Sequence, residues 1–118
     1  MRSFTLAAAL LLLGAPAAIA HAFLHGADPS VGSTVPASPQ QVEITFTEGV
    51  EPSFSTIEVQ NASGKRVDKG NIQAAPGTDR RLTIGLNPLP PGTYKVVWHA
   101  TSTDTHKTEG SFSFTVAP

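Results

Sequence analysis

Three residues distant in a 118-residue chain carry donor atoms that could meet on one metal ion: His21, Asp104 and His106. His21 follows Ala18-Ile19-Ala20, the small-x-small pattern read by a signal peptidase. Ahead of it, Arg2 supplies the charged start and "LAAALLLLGAPAA" the apolar run of an export signal. Read as a retained membrane helix, that run falls short of the about 20 apolar residues a span needs, and Gly14 and Pro16 interrupt it. Cleavage after Ala20 is therefore expected, giving a signal peptide over 1–20 and a mature domain over 21–118 that begins with His21. A chain-starting histidine offers its free amine and its ring Nδ1 together, and the two close a six-membered chelate ring on one ion. The amine has an ordinary pKa of about 7.7–8.0, so near neutral pH a metal displaces its proton at little cost.

The other two donors lie in "STDTHKTEG", residues 102–110. If that segment is locally extended, Asp104 and His106 are two apart and project to the same side, a compact oxygen-plus-nitrogen pair. By itself the triplet is weak, because an aspartate among threonines commonly forms an Asx turn. It gains weight beside an N-terminal histidine in a chain with only four histidines. His25 shares a face with His21 and Phe23 in an extended strand, and His99 is expected to face away from a buried Trp98 row. Neither is assigned as a primary ligand. Glu48, Glu51 and Glu109 read as solvated surface carboxylates.

Something must bring residue 21 to residues 104 and 106, and the sequence pattern says that strands do so. Apolar residues alternate with polar ones in short runs: Val42, Ile44, Phe46; Ile57, Val59; Leu82, Ile84, Leu86; Tyr94, Val96, Trp98; and Phe112, Phe114, Val116. Pro- and Gly-rich segments separate them at 28–39, 49–53, 74–78 and 87–93, and "NASG" at 61–64 is a turn signal. No stretch of ten residues has helical periodicity. Five clear strands, with weaker ones near Phe23–Ala27 and Lys65–Ile72, predict an all-β single domain of about seven strands. The expected form is an antiparallel immunoglobulin-like Greek-key sandwich, with a small closed barrel as its rival.

Composition narrows the function classes. Without Arg2 the mature chain has seven basic residues against nine acidic ones and no run of either sign, a poor match to nucleic acid or an anionic membrane surface. No cysteine is present, so neither disulfides nor thiolate zinc sites are available. No Gly-x-Ser-x-Gly context and no phosphate-binding glycine loop appears.

The segments "HAFLHGADPSVGSTV", "VEITFTEGVEP" and "LPPGTYKVVWHATSTDTHKTEGSFSFTV", with their spacing, resemble the CopC family of exported copper-binding proteins, including its PcoC-like members. The likeness covers nearly the whole mature chain, and its most specific parts are the histidine start and the Asp-x-His segment. It implies a seven-stranded Greek-key β-barrel or sandwich and a Cu(II) ion held by the amine and ring of His21, by Asp104 and by His106. Three nitrogens and a carboxylate oxygen suit Cu(II) in a tetragonal field, and the affinity order places Cu(II) above other divalent first-row ions. Certain relatives carry a methionine-rich loop implied to bind Cu(I). The only methionine here is Met1, lost with the signal, so soft thioether ligands are absent.

The expected function is that of an exported, periplasmic Cu(II)-binding protein acting in copper sequestration, transport or resistance. It is not an enzyme, and a membrane copper transporter or another copper-handling protein is its expected partner. Two other readings stand beside it. A metal-free immunoglobulin-like interaction module explains the strands but makes the three donors coincidental. A copper oxidase using an N-terminal histidine needs an open coordination position and a larger scaffold than 98 residues.

Overall fold

The computed structural model describes residues 22–118, so the expected export signal over 1–20 and His21 lie outside the described residues. Eight strands form two four-stranded sheets. In chain order they are β1 (Leu24–Asp28), β2 (Thr34–Val35), β3 (Gln41–Phe46), β4 (Thr56–Gln60), β5 (Gln73–Ala74), β6 (Arg81–Gly85), β7 (Gly92–Thr101) and β8 (Lys107–Val116). One sheet runs β1-β3-β6-β5 and the other β2-β8-β7-β4. The chain passes repeatedly from one sheet to the other, and only β5–β6 and β7–β8 are sequential neighbours within a sheet. Among the described residues the sole helical element is a single 3-10 turn, Pro52–Phe54.

All five alternating rows point inward. Val42, Ile44 and Phe46 face Leu82, Ile84 and Leu86 within the first sheet, and Ile57, Val59, Tyr94, Val96, Trp98, Phe112, Phe114 and Val116 supply the second. The period of two puts each row on one face, and burying that face holds the sheets together. The Tyr94 hydroxyl donates to the Pro90 carbonyl at the start of β7, as the tyrosine corner does in Greek-key sandwiches. Two separate sheets, rather than a closed barrel, are observed.

Two details depart from the expectation. β2 falls inside the Pro-rich 28–39 segment and pairs parallel with β8, Thr34 against Thr115 and Val35 against Val116. Gly32, at φ +74°, turns the chain so that it runs along the outer edge of β8, which covers an edge that would otherwise stand open. The second departure is the 65–72 segment, which forms isolated bridges (Gln60 to Arg66, Asp68 to Leu86) and no strand. The Asp68 carboxylate is the reason. It accepts the backbone N–H of Val59 at 2.8 Å and of Gly70 at 2.9 Å and is held by Arg66 at 2.8 Å, so side-chain bonds replace the strand ladder.

The Asp68 side chain is wholly buried. Burial opposes its charge, but the Arg66 guanidinium and the two N–H donors outweigh that and hold its pKa below the usual carboxylate range. A depressed carboxylate contributes stability that is present above its unfolded pKa of about 3.9 and disappears as pH falls through the lower folded value. Replacing Asp68 with Ala is expected to cost about 2–3 kcal/mol at pH 7. The difference from wild type should shrink progressively below pH 4 in urea titrations.

Candidate metal centre

β7 and β8 form a ten-pair hairpin that ends at Thr101 opposite Lys107, and residues 102–106 make the turn that joins them. The turn closes tightly: the Ser102 N–H donates to the His106 carbonyl at 2.9 Å, and the Thr105 N–H to the Ser102 carbonyl at 2.9 Å. Thr105 has φ +75°, the left-handed region that a β-branched residue seldom enters, so the surroundings must hold it there. The expectation of an extended Asp-x-His is thus corrected. Asp104 and His106 converge because the chain reverses between them, and the Asp104 Oδ1 stands 3.3 Å from the His106 Nδ1.

Buried Ser102, 1% exposed, organises the turn. Its hydroxyl donates to the Asp104 carboxylate and accepts the His106 N–H at 3.2 Å. That hydrogen bond, foremost, holds the Asp104 pKa below the usual range, and neighbouring His106 adds to the effect. The charged form of Asp104 is therefore favoured. Both side chains are about half exposed, leaving the donors open to solvent and cargo.

A second loop clamps the turn from outside. The Thr103 N–H donates to the Gly49 carbonyl at 2.9 Å, and the Glu51 N–H to the Thr101 carbonyl at 2.8 Å. Ser55 accepts the Thr101 N–H at 3.1 Å and donates to the Glu51 carbonyl at 2.7 Å. The sequence reading singled out neither Ser55 nor Ser102. Their only signal was a hydroxyl residue at the edge of an apolar row, which is too common to select them.

The N-terminal end of the described chain reaches the same place. Ala22 is fully buried, and its carbonyl accepts the hydroxyl of Thr108, two residues beyond His106. Phe23 and Thr47 exchange two hydrogen bonds, Phe23 N–H to the Thr47 hydroxyl at 2.9 Å and Thr47 N–H to the Phe23 carbonyl at 2.8 Å. The residue next to His21 is thus fixed beside the start of β8. His21 itself lies outside the described residues, among which no three His, Cys, Asp or Glu side chains form a metal-holding group.

Donors 3.3 Å apart can share one ion at bond lengths of about 2.0–2.2 Å, with roughly 100–110° between them. The described pair thus offers an oxygen and an imidazole nitrogen at a separation that one first-row metal ion can bridge. His25 stands exposed where β1 shifts register against β3, between Leu24 and Gly26. His99 lies on the outer face, as expected from its place beside Trp98, and its Nε2 is 3.1 Å from Glu109. Glu109 is exposed, in keeping with its reading as a solvated carboxylate, and has the His99 ring as its neighbour.

Known proteins share this architecture. Protein YobA of Escherichia coli strain K12 is 35% identical over 98% of this chain and 95% of its own. Copper resistance protein C of Escherichia coli is 34% identical over 84% of this chain and 83% of its own. Copper transport protein CutJ of Bacillus subtilis is 35% identical over 82% of this chain, which corresponds to only 18% of that protein. The crystal structure of CopC from Methylosinus trichosporium OB3b superposes with a TM-score of 0.78 at 38% identity, covering 83% of this chain and 95% of that one. Residues 24–117 match the CopC domain, and with YobA and copper resistance protein C matched over most of their length the chain belongs to the CopC family of copper proteins, which are not enzymes.

Proposed function

We propose that this copper protein is exported, loses residues 1–20, and carries one Cu(II) ion between the amine and ring of His21 and the Asp104–His106 pair. The observation that carries the reading is the hydrogen bond from Thr108 to Ala22. It fixes Ala22 against Thr108, two positions beyond His106, and this supports a reading in which a clamp at the preceding residue meets the turn donors. Amine nitrogen, two imidazoles and a carboxylate match the tetragonal preference of Cu(II), whereas Zn(II) favours a tetrahedron.

The Asp104 carboxylate, held as an anion by Ser102, supplies charge neutralisation, and the clamped turn fixes the imidazole so that little ordering is needed when the ion binds. Half-exposed donors also leave the ion accessible for handover. In CutJ the matching region is a small part of a copper transport protein. That supports a copper transport protein as the recipient here, and the export-signal pattern of residues 1–20 supports the periplasm as the compartment.

The test combines mass spectrometry of the exported form with Cu(II) titration followed by electron paramagnetic resonance. A first residue of His21 and a spectrum with nitrogen couplings are expected, and His106→Ala should weaken binding at least about 100-fold. A mature chain that retains residues ahead of His21, or a His106→Ala protein that binds as tightly as wild type, defeats the proposal.

A further inference from the structure

On the outer face of the second sheet, two rungs along the hairpin from Thr101 and Lys107, His99 and Glu109 stand directly opposite one another. The His99 Nε2 lies 3.1 Å from the Glu109 Oε1, and the other ring nitrogen, Nδ1, faces the Thr56 hydroxyl of β4 at 3.5 Å. Three adjacent strands therefore supply one row, Thr56, His99, Glu109, held at ladder register. The pair opens onto a cavity of about 310 Å³, lined also by Phe54, Thr101 and Lys107.

From this geometry we infer that His99 and Glu109 form a second, weaker site for a borderline divalent cation such as Cu(II) or Zn(II). Two donors 3.1 Å apart hold one ion at about 2.0–2.1 Å with roughly 95–100° between them, the angle of neighbouring ligands in a tetragonal or octahedral field. A ligating histidine usually has its second nitrogen oriented by an oxygen partner, and the Thr56 hydroxyl occupies that position. At 56% and 75% exposure the two side chains leave the remaining coordination positions to water. Only two protein donors, and Lys107 on the same face, make this site much weaker than one with four donors. The site lies on β4, β7 and β8 and needs neither His21 nor the 102–106 turn.

Protein loaded with one equivalent of Cu(II) is titrated with a second equivalent, followed by calorimetry and electron paramagnetic resonance. A second, weaker event with coupling to one nitrogen is expected. His99→Ala should weaken it at least tenfold and Glu109→Gln should weaken it less, while His25→Ala leaves it unchanged. Because His99 is exposed, the thermal midpoint of His99→Ala should match wild type. No second event, or one that persists in His99→Ala, overturns the inference. Survival of the first event in His99→Ala, or its loss in His106→Ala with the second retained, separates this site from the one proposed at the turn.

Discussion

Acetylating the amine of His21 in the mature protein is expected to weaken Cu(II) binding at least about 100-fold. The ring, Asp104 and His106 all remain, but the nitrogen preceding the ring becomes an amide. An amide is not a neutral-pH donor comparable to a free amine, so the six-membered chelate is lost. Structural four-ligand metal sites bind with about 10–16 kcal/mol, so one donor is worth about 3 kcal/mol, and each 1.4 kcal/mol is a factor of ten. Competition against a coloured chelator measures the change, and the resonance spectrum should lose one nitrogen coupling. Ala22 remains bound by Thr108 and buried, so the fold should melt as before. Equal affinity in the acetylated protein would remove the N-terminal clamp from the mechanism. His21→Ala is the complementary variant, keeping an amine but removing the ring.

Trp98→Ala is expected to cost about 3–5 kcal/mol, which lowers the thermal midpoint by roughly 15–30 °C in a domain of this size. Trp98 is 5% exposed and meets Phe46 of the other sheet edge-on, with ring centroids 5.3 Å apart at 74°. It therefore joins the two layers. Its indole also lies over Gly110, its partner on β8: a Cβ there would stand 2.6 Å from Trp98 Cζ2 and 2.9 Å from Cε2. Glycine at 110 is thus required by close approach of a rigid ring. Gly110→Ala should cost about 1–3 kcal/mol through overpacking. In a Trp98→Phe background the clashing atoms are gone and most of that cost should vanish, a coupling of about 1 kcal/mol or more in a double-mutant cycle. Additive losses would show that Gly110 matters for some reason other than the indole. Since the pair sits three rungs below the Asp104–His106 turn, loss of the indole should also loosen the turn donors.

The inward rows were legible because alternation is a one-dimensional signal. Val42, Ile44 and Phe46, or Phe112, Phe114 and Val116, declare a buried face wherever the strand is placed. The parallel β2 was not legible. Two residues among prolines carry no period, and only the edge of β8 gives them a partner. The 65–72 segment reads as a weak strand because Val67 and Ile72 are apolar. What decides it is Asp68, whose carboxylate found the backbone N–H of Val59, on a strand nine residues back.

The sequence by itself determined the candidate donor types, the absence of cysteine, and an all-β scaffold, since these follow from residue identity and local period. Tertiary structure decided how the donors meet. Asp104 and His106 converge through a left-handed Thr105 and a buried Ser102 rather than along a strand, because the hairpin turn is pinned by the 49–55 loop. Likewise, only the folded sandwich fixes Ala22 against Thr108 across 86 residues of chain, and only strand register sets His99 opposite Glu109. Such long-range placements depend on which sheets pack together, and no local pattern in the chain records them.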